Sequence, residues 1–100
     1  LQGHQDKLKI LFVEDDIEST ELFVNCFDDE YQIITAGSAQ EALEIFRRES
    51  DIAMVLSDQS MPNMSGVELL TLIYELQPDT IRIIITGYIE ISDTIDAINK

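Results

Sequence analysis

Met54-Val55-Leu56-Ser57-Asp58-Gln59-Ser60-Met61-Pro62-Asn63-Met64-Ser65-Gly66 is the stretch on which the reading of this chain turns. The apolar run that opens at Ile52 has the character of a strand covered on both faces, and it delivers one carboxylate, Asp58, where the run stops. Turn chemistry follows. Pro62 cannot extend a central strand, and Asn63, Ser65 and Gly66 favour a tight loop leading into the helical pattern that starts at Val67. In an open parallel sheet, ligands and chemistry gather at the carboxyl ends of the strands, so Asp58 stands where a reactive group is expected.

On the amino-terminal side, Lys7 to Val13 is a first apolar run that breaks off at Glu14-Asp15-Asp16. Ile17, Leu22, Phe23, Val24, Cys26 and Phe27 then recur at roughly helical spacing, with Asp16 available as N-cap. Tyr31 to Ala36 predicts a second strand. Ser38-Ala39-Gln40-Glu41 has the capping-box pattern, and Ala39, Ala42, Leu43 and Phe46 line one face of a helix ending near Ser50. Ser65-Gly66-Val67-Glu68 repeats the pattern. Val67, Leu70, Ile73 and Leu76 carry that helix until Pro78 stops it. Ile81 to Ile85 predicts a fourth strand ending at Thr86-Gly87, and Ile91, Ile95 and Ile98 mark a last helix.

Strands of continuous apolar character alternating with amphipathic helices imply an α/β fold, a doubly wound parallel sheet with helices on both faces and right-handed crossovers. Among such sheets the order 2-1-3-4 sets strands one and three side by side, and Glu14, Asp15 and Asp58 then converge at one rim. Residues 1–6 have neither the basic start nor the apolar middle of a secretion signal and are expected to be a tail. Residues 7–100 form the single domain.

The 100-residue chain is large enough for one core, and no apolar run approaches the ~20 residues needed to cross a membrane. Cys26 is the single cysteine, which excludes an internal disulfide and suits a reducing, cytoplasmic setting. It is expected to pack as a small buried hydrophobe. A formal charge of -14 repels phosphate backbones and argues against direct nucleic-acid binding. Cations and basic partner surfaces suit the chain better.

Carboxylates gathered at adjacent strand ends repel one another, at a cost on the order of 4 kcal/mol for a pair about 4 Å apart at an effective dielectric near 20. An all-oxygen, partly hydrated site of that kind suits Mg²⁺, with Asp58 as a nucleophile towards phosphorus. Thr86 would present a hydroxyl to the phosphoryl oxygens. Taken singly, each group has a plainer reading. With 20 acidic residues in the chain, Glu14-Asp15-Asp16 alone is a solvated turn with a helix cap, and Thr86 alone is a strand-end hydroxyl. Met61 and Met64 read as loop packing.

Ile10 to Asp16, Ser57 to Gly66 and Ile83 to Gly87 together resemble the first strand with its acid pair, the phosphoacceptor loop and the switch strand of response regulator receiver domains (CheY-like). The resemblance runs from about Lys7 to Lys100. It implies Asp58 as phosphoacceptor, Asp15 as a direct Mg²⁺ ligand, Glu14 as a ligand acting through water, Ser60 contributing its backbone carbonyl, and Thr86 in the switch position. It also implies a histidine kinase or phosphotransfer protein as partner. Asp16 falls beyond the acid pair and is the helix cap. Receiver domains continue into a fifth strand with a lysine and a fifth helix; this sequence ends at Lys100, so that unit is expected to be missing. Strand four then becomes an open edge, with Ile81, Ile83 and Ile85 uncovered and part of helix one's apolar face bare, and self-association as a homodimer or domain swap is the expected remedy.

Two other classes compete. A Mg²⁺-dependent phosphohydrolase with an Asp nucleophile usually needs a second carboxylate two residues on, where this chain has Ser60. A flavin-binding relative of the fold would want a Ser/Thr/Gly-rich loop after strand one, where this chain has three acids. A binding-only pseudo-receiver shares every residue and differs only in reactivity.

Overall fold

Alternation along the first strand decides which face of the sheet meets which helix. Leu11 and Val13 of β1 (Lys9–Val13) are fully buried in one core with residues of α2 (Ala39–Arg48) and α3 (Gly66–Leu76). Phe12, between them, faces the other way and stacks on Phe23 of α1 (Ile17–Phe27), ring centroids 4.0 Å apart. One helix therefore covers one face and two cover the other. The computed structural model describes residues 7–86.

The remaining strands are β2 (Gln32–Ala36), β3 (Ile52–Asp58) and β4 (Ile81–Ile85), all parallel, in the order β2-β1-β3-β4. This is the 2-1-3-4 order expected from the sequence. The last expected helix, marked by Ile91, Ile95 and Ile98, lies outside the described residues, as do Gly87 and residues 1–6, expected to be a tail.

One feature of register matters for the site. Lys9 pairs with Ile52, but Ile10 pairs with Met54, so β3 carries one extra residue beside β1. From there the register runs to Val13 opposite Ser57, which sets Glu14 level with Asp58. Without the shift Glu14 would lie level with Ser57 instead. The alternation of faces along β3 inverts at the same point, because the side-chain period is two.

Local rules explain the helix starts. Asp16 caps α1 by accepting from the Ser19 amide at 2.9 Å, and Ser65 and Glu68 form a complete reciprocal capping box at α3. At α2 the box is half formed. Ser38 accepts from the Glu41 amide, while the Glu41 carboxylate reaches past the cap to the Gly37 amide.

Several expectations need correction. The second strand begins at Gln32, not Tyr31, and α2 stops at Arg48 with Glu49 as its C-cap. In α3 the buried residues are Gly66, Leu69, Leu70 and Ile73, whereas Val67 and Leu76 are exposed. Leu69 replaces them because the helix starts with Gly66 pressed on the end of β3, which turns Val67 outward. α1 buries none of its residues completely, with Ile17 and Leu22 exposed. Cys26 lies on that helix and is exposed, not buried. Met61 and Met64, half-buried, pack against the core as loop residues.

Candidate acidic site at the carboxyl rim

Three of the expected residues meet. Glu14 and Asp15 leave the end of β1, Asp58 ends the neighbouring β3, and one carboxylate oxygen from each lies within 4.8 Å of the others. Glu14 and Asp58 are half-buried and Asp15 is exposed, so the cluster is open to water on one side. Asp16, though next in sequence, is not part of it. Its side chain is committed to Ser19, accepting from both the backbone amide and the hydroxyl, and the hydroxyl contact is 2.7 Å.

Glu14 is held from two directions. Its own amide donates to the Ala36 carbonyl at 3.0 Å, and its carboxylate accepts from the Asp16 amide at 3.1 Å. Burial pushes its proton affinity above that of an ordinary glutamate, and the nearby Asp58 and Asp15 add to the rise, while the Asp16 amide works against them. A carboxyl shifted in that direction is one that a cation would relieve. The donor set is all oxygen, rich in carboxylate and partly hydrated, which fits Mg²⁺ better than a soft or tetrahedral ion.

The other two residues are carried to the same rim without joining the cluster. Ser60 is exposed in the loop two residues past Asp58. Thr86, also exposed, follows Ile85, the register partner of Asp58.

The loop between β3 and α3 returns tightly on itself, with Asn63 in the left-handed region at φ 73°, a conformation Asn tolerates. Gly66 is required at its close. A Cβ there would stand 2.5 Å from the Asp58 carbonyl oxygen and 2.8 Å from Ile84 Cδ1. Gln59, which the sequence reading passed over, holds this turn. Its carbonyl accepts from the Gly66 amide, its side-chain Oε1 accepts from the Val67 amide, and its own amide donates to the Ile85 carbonyl. An amide side chain placed directly after an apolar strand, where the loop must come back, was the available signal.

A parallel 2-1-3-4 sheet with an acidic cluster at its carboxyl rim defines a doubly wound α/β domain of the flavodoxin/CheY-like kind. Comparison with known proteins narrows this. The response regulator receiver domain family matches residues 10–100, and the chain belongs to that family. It is 34% identical over 91 residues to the hydrogenase transcriptional regulatory protein HoxA of Cupriavidus necator, covering 91% of this chain and 19% of that protein. The chain thus spans about a fifth of that regulator's length. Among solved structures, a response regulator receiver domain protein from Clostridium thermocellum superposes with a TM-score of 0.81 at 30% identity, covering 92% of this chain and 75% of that one. Response regulator protein TrrA from Thermotoga maritima, in complex with Mg(2+)-BeF, gives a TM-score of 0.76 at 33% identity, covering 81% and 70%. The protein is a receiver domain of two-component signalling, a signalling module homologous to the receiver of HoxA. Among the described residues no helix is long and apolar enough to cross a membrane.

Proposed function

We propose that this receiver takes a phosphoryl group from a histidine kinase or phosphotransfer protein onto Asp58, with Mg²⁺ held by Glu14, Asp15, Asp58 and the Ser60 carbonyl. The observation that carries the reading is the approach of three carboxylates from two neighbouring strands to within 4.8 Å. Bound there, the ion would offset charge on the carboxylates and on the phosphoryl oxygens. A carboxylate oxygen of Asp58 attacks phosphorus, an O–P bond forms, and the N–P bond to the donor imidazole breaks with its electron pair passing to nitrogen, the ring leaving as neutral imidazole with the proton already on its other nitrogen. Asp15 and Glu14 would hold the ion as ligands. The Thr86 hydroxyl then donates to a phosphoryl oxygen, and the phosphoryl group, carrying roughly -2 in place of the carboxylate's -1, draws the end of β4 towards Asp58. TrrA supports the ion by its own complex with Mg(2+)-BeF.

The setting is cytoplasmic, where a chain with one cysteine has no need of a disulfide. HoxA is a transcriptional regulator by name, and control of transcription by the protein that carries this receiver is the corresponding proposal. The receiver itself makes no direct contact with nucleic acid, given its charge of -14.

Incubation with Mg²⁺ and a small acyl phosphate donor, read by intact mass, tests the reading. A labile phosphate adduct that Asp58→Asn abolishes and a chelator prevents is expected. Binding of Mg²⁺ with no adduct would make this a binding-only receiver, and sustained turnover of the donor would make it a phosphohydrolase.

A further inference from the structure

Gln59 stands next to the proposed phosphoacceptor and makes three hydrogen bonds to the elements on either side. Its backbone amide donates to the Ile85 carbonyl at 3.2 Å, which fixes the spacing between the ends of β3 and β4 one residue before Thr86. Its backbone carbonyl accepts from the Gly66 amide at 3.1 Å, and its side-chain Oε1 accepts from the Val67 amide at 3.0 Å. Gly66 and Val67 open α3, where the first amides have no carbonyl of their own helix to bond. Ser65 Oγ takes the third of them, from Glu68, at 3.2 Å. Gln59 thus supplies partners for two of the first three free amides of α3. The Oε1 contact needs a side-chain acceptor at that reach, unlike the two backbone bonds, which any residue but proline could make.

We infer that Gln59 is a positioning residue for the acidic site: by capping α3 with its side chain it locks the peptide units on both sides of itself, and so fixes Asp58 relative to the Ser60 carbonyl. The two proposed ligand groups lie on either side of Gln59 in sequence, so any rotation of its backbone moves them relative to one another. The Asp58 carbonyl is wedged against Gly66, where even one methyl group would collide, so that side of the turn has no slack. On the other side Ser60, Pro62 and Asn63 are exposed, while Met61 and Met64 between and after them rest half-buried on the core. The Gln59 side chain adds a second tie to α3, at the Val67 amide, beside the one its carbonyl makes to Gly66. Mg²⁺ demands near-octahedral geometry at short distances, which makes its affinity sensitive to such a displacement. Groups that orient metal ligands indirectly commonly change affinity by about tenfold when removed.

This role rests on the reading of Asp58 and its neighbours as a Mg²⁺ site. The test compares the wild type, Gln59→Leu, which keeps the bulk and loses the acceptor, and Gln59→Glu, which restores an acceptor at the same reach. Thr71→Gly serves as a control that weakens the start of α3, where Thr71 Oγ1 donates to the Val67 carbonyl, and leaves every Gln59 bond in place. Mg²⁺ affinity by calorimetry and exchange of the Val67 amide are read on all four proteins. The expected result is faster Val67 exchange and about tenfold weaker Mg²⁺ binding in Gln59→Leu, with both restored in Gln59→Glu and the affinity intact in Thr71→Gly. Unchanged affinity in Gln59→Leu overturns the role of Gln59 alone. Equal loss in Thr71→Gly at a matched melting temperature also overturns it, since general helix stability would then explain the effect. A wild type indifferent to Mg²⁺ instead overturns the reading of the site on which the role depends.

Discussion

Glu14 is the residue at which the site's electrostatics are most exposed to measurement. Burial, with Asp58 and Asp15 beside it, holds its proton affinity above the ordinary glutamate value. In the window between the ordinary and the raised value the folded chain binds more protons than the unfolded one, so stability falls as pH rises through it. That contribution is fully present below the ordinary value and lost above the raised one. Thermal melts in chelator across mildly acidic pH are expected to show this decline in the wild type and to lack it in Glu14→Gln; superimposable profiles would contradict the account. Asp16 has the opposite sign. Its bonds from Ser19 lower its proton affinity, so what it contributes is present above the ordinary aspartate value and lost as pH falls through the lowered one. Gly66 gives a second residue-scale test. A methyl group there meets the end of the Ile84 side chain and the Asp58 backbone, and the backbone cannot move without disturbing β3, so Gly66→Ala should cost about 2 kcal/mol or more in urea unfolding. The acids of the site were legible because each ends an apolar run, which marks it in one dimension. The meeting of Glu14 with Asp58 was not fully legible, since it depends on the register shift near Ile10, and backbone hydrogen bonding between strands leaves no residue-type signature.

Helix starts follow chemistry that the sequence carries openly, and helix faces do not. Ser65 and Glu68 form both arms of their box, while at α2 the second arm goes to Gly37. Ser65→Ala is accordingly expected to cost about 1 kcal/mol, and Ser38→Ala no more than that, by the same denaturant measurement. A larger loss at Ser38 would show that the reciprocal arm matters less than its geometry suggests. The buried face of α3 was misjudged for a physical reason. Val67, Leu69, Leu70, Leu72, Ile73 and Leu76 give the helix apolar residues on more than one side, so periodicity alone offers several stripes. Contact of Gly66 with the end of β3 selects among them, burying Leu69 and exposing Val67. On α1 the sequence reading placed Cys26 inside, yet the helix meets the sheet chiefly through Phe23 stacked on Phe12 and Phe27 tilted against Phe23 at 4.8 Å. Rings that large hold the helix off the sheet, and a small side chain beside them does not reach it.

At the scale of the whole molecule, burial and charge pull in opposite directions. Ile81 and Ile83 on β4 are 53% and 40% exposed, and Leu22 on α1 is 66% exposed. Among the described residues β4 has no strand on its outer side. An apolar edge of that kind is a template for pairing with another chain. Two copies related by a two-fold axis would join β4 to β4 antiparallel, with each strand meeting the same surface on its partner. Against this stands a charge of -14 on each copy, which repels at low ionic strength and is screened over about 10 Å at 0.1 M salt. We therefore expect the mass measured by light scattering to rise with both protein concentration and sodium chloride, and Ile83→Lys, which sets a charge on the edge, to hold the chain monomeric. A mass that stays at one copy across dilution and salt, together with no binding of an apolar dye, would mean that these isoleucines are covered within a single chain and that the edge is not open.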